Sequence, residues 1–308
     1  MRRIAVAVPL LLALSIVLFL YIHLVPGDPV AGMLGPNGSP ELVKQLRHAR
    51  GLDLPIPVQY WNWLGGLFHG SLGVSLVSNL PIAPIVIARL PATLHLTLSA
   101  LFFTLLLGLP TGFLAGVYKD RWLDRILSPV ALVGLSMPVF WVGTLLFLLL
   151  GVQLHWLPTA GYVPFNESPV QSLRLTLMPA FTLGFTLAPF LARLTRAATV
   201  ELLQEQFIVQ TTAKGLRPST VLRRYLARNT ILPVLSVIGL QLGTLIGGQV
   251  IVEQLFNWPG IGRLLVEGAV QRDYLMVQSL ILVLAAVYVL VNLGVELLHA
   301  WLDPRVRL

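Results

Sequence analysis

Residues 193–228 read RLTRAATVELLQEQFIVQTTAKGLRPSTVLRRYLAR and lie between two strongly apolar runs. The stretch holds 7 of the chain's 21 Lys and Arg residues. Its pattern predicts two short amphipathic helices broken at Gly215. In the first, Val200, Leu203, Phe207 and Ile208 recur at helical spacing. Gly215 can adopt the left-handed backbone that ends a helix, and Pro218 can open the next in its first turn. In the second, Val221, Leu222, Tyr225 and Leu226 form an apolar side, and Arg223, Arg224 and Arg228 a basic one. A basic helix-turn-helix between two long apolar runs belongs on one side of a membrane, and its outer face needs something to press against.

The rest of the chain supplies that membrane. Of the 308 residues 56% are hydrophobic and 11% charged, whereas soluble domains carry about a quarter of charged residues. This is the composition of an integral membrane protein. The formal charge of +8 follows the excess of Lys and Arg in cytoplasmic loops, and no nucleic-acid partner is expected. With no cysteine among these residues, disulfides and thiolate metal sites are excluded. No two of the six histidines stand three to five residues apart, so no compact zinc motif is present.

Outward from the loop, six apolar runs are legible. The first, residues 4–24 after Arg2 and Arg3, is about the 20 residues that span a bilayer. Residues 25–92 are polar enough to form a small extracytoplasmic cap. In it Ser39, Pro40 and Glu41 predict a helix start and Gly51 its stop, and Trp61, Trp63 and Phe68 suit the bilayer interface. Residues 93–308 form a five-helix core containing the 193–228 loop. Its runs are 93–117, 126–150 (with Pro129 and Pro138), 174–192, 231–255 and 275–300. The expected fold is therefore an all-α membrane protein of six transmembrane helices, with the helix-turn-helix between the fourth and fifth. Both termini are expected in the cytoplasm, because the segments then placed inside hold 14 Lys and Arg and the others 7.

Recognisable chemistry is sparse. No G-x-x-x-x-G-K-[ST] occurs, since none of Lys44, Lys119 and Lys214 follows the required glycines. Ser136, in GLSMP, lacks the second glycine of a nucleophile elbow and reads as a serine bonded within its own helix. Glu253, Glu296 and His95 stand near span ends, whereas an ion-coupled carrier places carboxylates near the bilayer centre. Glu296 reads as an interface residue paired to Arg305 or Arg307. Gly243, Gly247 and Gly248 on the fifth run are candidates for a pathway or gate, with close helix packing as the competing explanation. The combination of spans, basic loop and cap without an energy source points to a pore subunit driven by a separate enzyme.

Ordered motifs along nearly the whole chain carry a resemblance. They are HLVPGDP at 23–29, GLDLP at 51–55, LPATL at 90–94, SMPVFW at 136–141, AKGL at 213–216, RN at 228–229, ILP at 231–233, FNWPGIGR at 256–263, RDY at 272–274 and LDPR at 302–305. Together they resemble the permeases of ABC importers, and more narrowly the dipeptide/oligopeptide and nickel permease family. The resemblance implies a bacterial inner-membrane subunit paired with a second, related permease. Two cytoplasmic ATPases would use ATP and Mg, with no cofactor bound by this chain, and an extracytoplasmic binding protein would deliver substrate. It assigns Glu205, Ala213, Lys214, Gly215 and Leu216 to the ATPase-coupling loop, with Arg228, Asn229 and Pro233 tying it to the fifth span. Trp258, Pro259 and Gly260 are the candidate contact for the binding protein. Val209 and Thr212 stand where relatives often have arginine, and Tyr225 where a histidine is common. The expected cargo is a di- or oligopeptide, with glutathione or a nickel chelate as the alternative. The rival readings are a self-sufficient secondary carrier and an intramembrane hydrolase.

Overall fold

The computed structural model describes residues 2–24, 39–49 and 51–302. In chain order its helices are α1 (Arg2–Leu24), α2 (Pro40–Ala49), α3 (Ile56–Phe68), α4 (Ile82–Val117), α5 (Trp122–Ser136) and α6 (Val139–Leu146). They continue as α7 (Pro169–Gln204), α8 (Gln206–Ala213), α9 (Pro218–Thr220), α10 (Arg228–Gly248), α11 (Val250–Leu255), α12 (Ile261–Val270) and α13 (Tyr274–Leu302). Two π-helical turns, Phe147–Gln153 and Val221–Ala227, extend α6 and join α9 to α10. No strand occurs among the described residues, only an isolated bridge between Val74 and Pro81. The described residues within 1–91 and 260–289 form one compact unit, and those within 92–259 and 290–302 a second.

The first unit is built on Ile82, Val86, Ile261, Leu264, Met276 and Leu280, all buried together. Its polar pin is Asp273, which is 2% exposed. Its carboxylate accepts from the Ser75 hydroxyl and from the backbone N–H groups of Leu76 and Met276. One side chain thereby caps α13 and holds the loop before α4, which explains an acid at the centre of RDY. The α2 helix occupies the predicted position, and Gly51 beyond it has φ +64. In α1, Phe19 packs its ring on Tyr60 and Trp63 of α3. The VPGDP turn lies outside the described residues.

The second unit is organised by α7, 36 residues long. At 1.5 Å per residue that is about 54 Å, well beyond a hydrocarbon core of about 30 Å. Along it α4 packs backbone to backbone. A Cβ on Gly108 would stand 2.9 Å from the Ala188 carbonyl oxygen, Gly112 is closer still to that of Ala192, and Gly116 meets Thr199. Small residues four apart let two helices approach this closely, where dispersion and not water exclusion holds them. Buried threonines need no outside partner, because Thr97, Thr104, Thr182, Thr195 and Thr199 each donate to the carbonyl four residues earlier.

Several expected boundaries move. Instead of starting at 93, the second apolar helix begins at Ile82. The 126–150 run is not one straight span: it breaks between Ser136 and Val139 with a bend of 98°. Pro138 disfavours helical geometry in the residue before it, and Met137 is extended at φ −80, ψ 121. Pro129, by contrast, stays inside α5. The fifth run divides after Gly248, where Gln249 joins α10 to α11. Three helices, Ile82–Val117, Pro169–Gln204 and Tyr274–Leu297, are each long and apolar enough to cross a bilayer. Two bent pairs, 122–136 with 139–153 and 218–235 with 237–248, pass the same test as units.

Candidate functional site

The 193–228 stretch forms an elbow whose first bend sits elsewhere than the sequence suggests. The helix does not pause after residue 192; α7 runs unbroken to Gln204 and stops because Glu205 is extended, at ψ 138. Val200 and Leu203 therefore belong to the end of α7, and Phe207 and Ile208 to α8. The Glu205 carbonyl accepts from Ile208 and Val209 to start α8, while no side-chain cap forms. Of the predicted apolar face, Ile208 is buried and Phe207 is 38% exposed.

The second bend is at Gly215, with φ +76. No atom lies within 4 Å of a Cβ built there, so the demand is on the backbone and not on space. Arg217 then caps the next segment and Pro218 occupies its first turn. Ile208, Val221 and Leu226 form a buried seat, with Leu202, Leu203, Leu216, Leu222 and Tyr225 around it and Phe113 and Val117 from the end of α4 beneath. Glu205, Ala213, Lys214 and Gly215 face outward and exposed, as does Arg228. The elbow thus has an apolar underside fixed to α4 and α7 and an exposed outer rim on which Glu205 and Lys214 stand beside Phe207 and Val209.

No break separates the elbow from α10. The π turn 221–227 carries the chain straight into it, and the Asn229 amide donates to the Tyr225 carbonyl, one of the acceptors that such a turn leaves over. Pro233 is exposed inside α10. From Pro218 the chain therefore runs into α10 without a break, whereas α7 is reached across the Glu205 bend and through the packing of Leu202 and Leu203 in the seat.

A second feature at this end has no sequence signal. Arg196 of α7 donates through Nε and Nη2 to the two carboxylate oxygens of Asp124, each at 2.7 Å. Asp124 is 5% exposed and also accepts from the Asp120 backbone and the Ser128 hydroxyl. The partners are 72 residues apart, and only an acid in a basic loop, KDRWLDR, hinted at it.

At the far end of the unit a polar cluster is enclosed. Gln249 and Glu253 are fully buried, beside Thr97 and Thr93 at 3.2 and 3.5 Å. Trp258 is buried as well. Its indole N–H donates to the Ala92 carbonyl at 2.9 Å, and its ring packs on Tyr162 and His95. Trp258 and Gly260 are thus inside the protein, and of the three candidate binding-protein contacts only Pro259 is partly exposed. Burial shows why an apolar ring is held here, and it removes Trp258 as a docking residue. Gly247 and Gly248 are exposed with open space around them, while Gly243 is half-buried. The Ser136 hydroxyl donates to the Leu132 carbonyl of its own helix. Glu296 is half-buried in α13; Arg305 and Arg307 lie outside the described residues. No group of three or more His, Cys, Asp or Glu able to hold a metal occurs among the described residues.

Long paired helices, an elbow seated on two of them and several apolar helices able to span a bilayer are the architecture of a multi-pass membrane protein. The family described as binding-protein-dependent transport system inner membrane component matches residues 108–308, and its N-terminal counterpart matches 1–97. The chain belongs to this family. It is 36% identical over 306 residues to the glutathione transport system permease protein GsiC of Escherichia coli O6:H1 (strain CFT073), covering 99% of this chain and 97% of the relative. With GsiC of Salmonella choleraesuis (strain SC-B67) it is 36% identical over 307 residues, covering 100% and 98%. Among solved structures, a chain of the inward-facing MetNI methionine ABC transporter superposes with a TM-score of 0.59 at 18% identity, covering 71% of this chain and 96% of that one. That likeness is one of fold.

Proposed function

We propose that this subunit, within an ATP-driven importer of the bacterial inner membrane, carries small peptides, and that the elbow at 205–233 receives the motion of the ATPases. The observation that carries the coupling role is the division of the elbow into an apolar underside seated on α4 and α7 and an exposed rim of Glu205, Ala213, Lys214 and Gly215. An elbow continuous with α10 and packed on the end of α7 can transmit a rigid-body push between two states of a pathway. In this reading the spans number six, with both termini and the elbow in the cytoplasm. The cap after α1 receives the binding protein, and a second, related permease completes the pore. Gly247 and Gly248, with open space around them, face that partner or the pathway.

The GsiC relatives are named for glutathione, itself a small peptide, so glutathione is the first cargo to test, ahead of other di- and oligopeptides. Among the described residues no group of three or more His, Cys, Asp or Glu able to hold a metal occurs, and nickel chelates are tested after both. The test is isolation of the complex from its native membrane, with a single cysteine at position 214 in the naturally cysteine-free chain. Nucleotide-sensitive cross-linking of that cysteine to a copurifying ATPase supports the reading. A subunit that purifies without any ATPase and still moves solute refutes it.

A further inference from the structure

We propose that the Asp124–Arg196 pair is the positioning contact that makes α5 follow α7 when the elbow moves, an inference that rests on the coupling reading above. The geometry is that of a clasp. Arg196 offers both faces of its fork to one carboxylate at 2.7 Å, the arrangement that fixes orientation as well as distance. Asp124 is held from its own side by the Asp120 backbone and Ser128, so it is not free to turn with the arginine. Both groups sit where α4, α5 and α7 converge: Gly116 of α4 packs on Thr199 and on the carbonyl of Arg196 itself.

Arg196 precedes the Glu205 bend by two turns of helix, a lever of about 12 Å. The elbow's seat uses Leu202 and Leu203 from that same lever and Phe113 and Val117 from the end of α4. Pressure on the elbow therefore acts on α7 just beyond the clasp. Close glycine packing already binds α4 to α7. Further along, α5 packs on α7 where a Cβ on Gly134 would stand 2.7 Å from Pro189; at the lever itself the contact shown is the ion pair, and α5 leads to the 98° bend at Met137. Without the clasp, α7 and α10 still move with the ATPases but the start of α5 lags, and nucleotide cycles are spent without opening the pathway. Removing Arg196 also leaves the buried Asp124 carboxylate unmatched, so the test must separate coupling from folding.

The experiment uses the full complex in proteoliposomes and reads ATP hydrolysed per solute imported, together with membrane abundance. The variants are Arg196→Lys, which keeps the charge and loses the fork, Asp124→Asn, and the double variant. At normal abundance, Arg196→Lys and Asp124→Asn should raise the ratio about five-fold or more, and the double variant should be no worse than the worse single one, because both remove the same contact. An unchanged ratio in Arg196→Lys, at whatever abundance, overturns the proposal, as does a double variant in which the two effects simply add. A wild-type complex with no ATP-driven uptake would instead mean that the underlying reading has failed.

Discussion

The indole N–H of Trp258 donates to the carbonyl oxygen of Ala92 at 2.9 Å, with both residues buried. This bond ties the turn of FNWPG to α4, close to Thr93 and Glu253. It makes the tryptophan an internal fastener. Trp258→Phe, which keeps most of the ring and loses the bond, should cost about 1 kcal/mol, and Trp258→Ala about 3–5 kcal/mol. Thermal unfolding of the purified complex measures the order. A Trp258→Ala complex of unchanged stability that no longer responds to binding protein would restore the docking role.

At Gly215 the argument is one of backbone conformation. Left-handed geometry costs an ordinary residue about 1–2 kcal/mol and asparagine less. Gly215→Asn should therefore keep most ATP-driven uptake, while Gly215→Val should lose it through the backbone and Gly215→Asp through the negative charge it adds to the exposed rim, each with the subunit still present in the membrane. Uptake and membrane abundance, measured together, check this. Equal uptake for all three would mean the bend needs no left-handed residue.

Two glycines on different helices should respond in opposite ways. At Gly112 any Cβ runs into the Ala192 carbonyl, whereas at Gly247 it meets open space. Gly112→Ala should destabilise by about 1–3 kcal/mol through forced separation of α4 and α7, with lower membrane abundance. Gly247→Ala should leave abundance unchanged. If a partner permease packs on Gly247, the loss will show only in recovery of the assembled complex.

Asp273 serves three donors from inside the protein. Asp273→Ala would strand the Leu76 and Met276 N–H groups and the Ser75 hydroxyl, each worth about 1–3 kcal/mol when left buried and unpaired. Asp273→Asn, which keeps an acceptor oxygen, should fall between it and the native chain. Limited proteolysis of the 70–81 loop should follow the same order.

What could be read from the sequence, and what could not, follows from the range of each interaction. The φ of Gly215, the Pro218 start and the stop at Gly51 are local, and local chemistry dictated them. The buried Ile208, Val221 and Leu226 followed from helical spacing, because one side of an amphipathic segment must find a seat. The break at Glu205 was invisible: nothing in ELLQEQF resembles a stop, and the bend there brings Ile208 onto the elbow's buried seat. The 98° bend was half visible, since Pro138 was noted but Pro129 beside it is absorbed into a helix. The Asp124–Arg196 clasp and the enclosed Gln249 and Glu253 join residues from separate helices, which no single-chain pattern records. Trp258 likewise is enclosed by His95, Tyr162 and the Ala92 carbonyl, partners from other segments that no local pattern records.

This chain is expected to import solute only as part of an ATP-driven assembly coupled through its elbow. The most direct measurement is uptake of glutathione and of labelled di- and tripeptides into proteoliposomes. These should hold the chain with its copurifying permease and ATPases, the binding protein being supplied on the outside and ATP enclosed. Uptake is expected only when ATP, ATPases and binding protein are all present, and it should vanish with Gly215→Asp. Import by this chain alone, driven by an ion gradient and indifferent to ATP, would contradict the account.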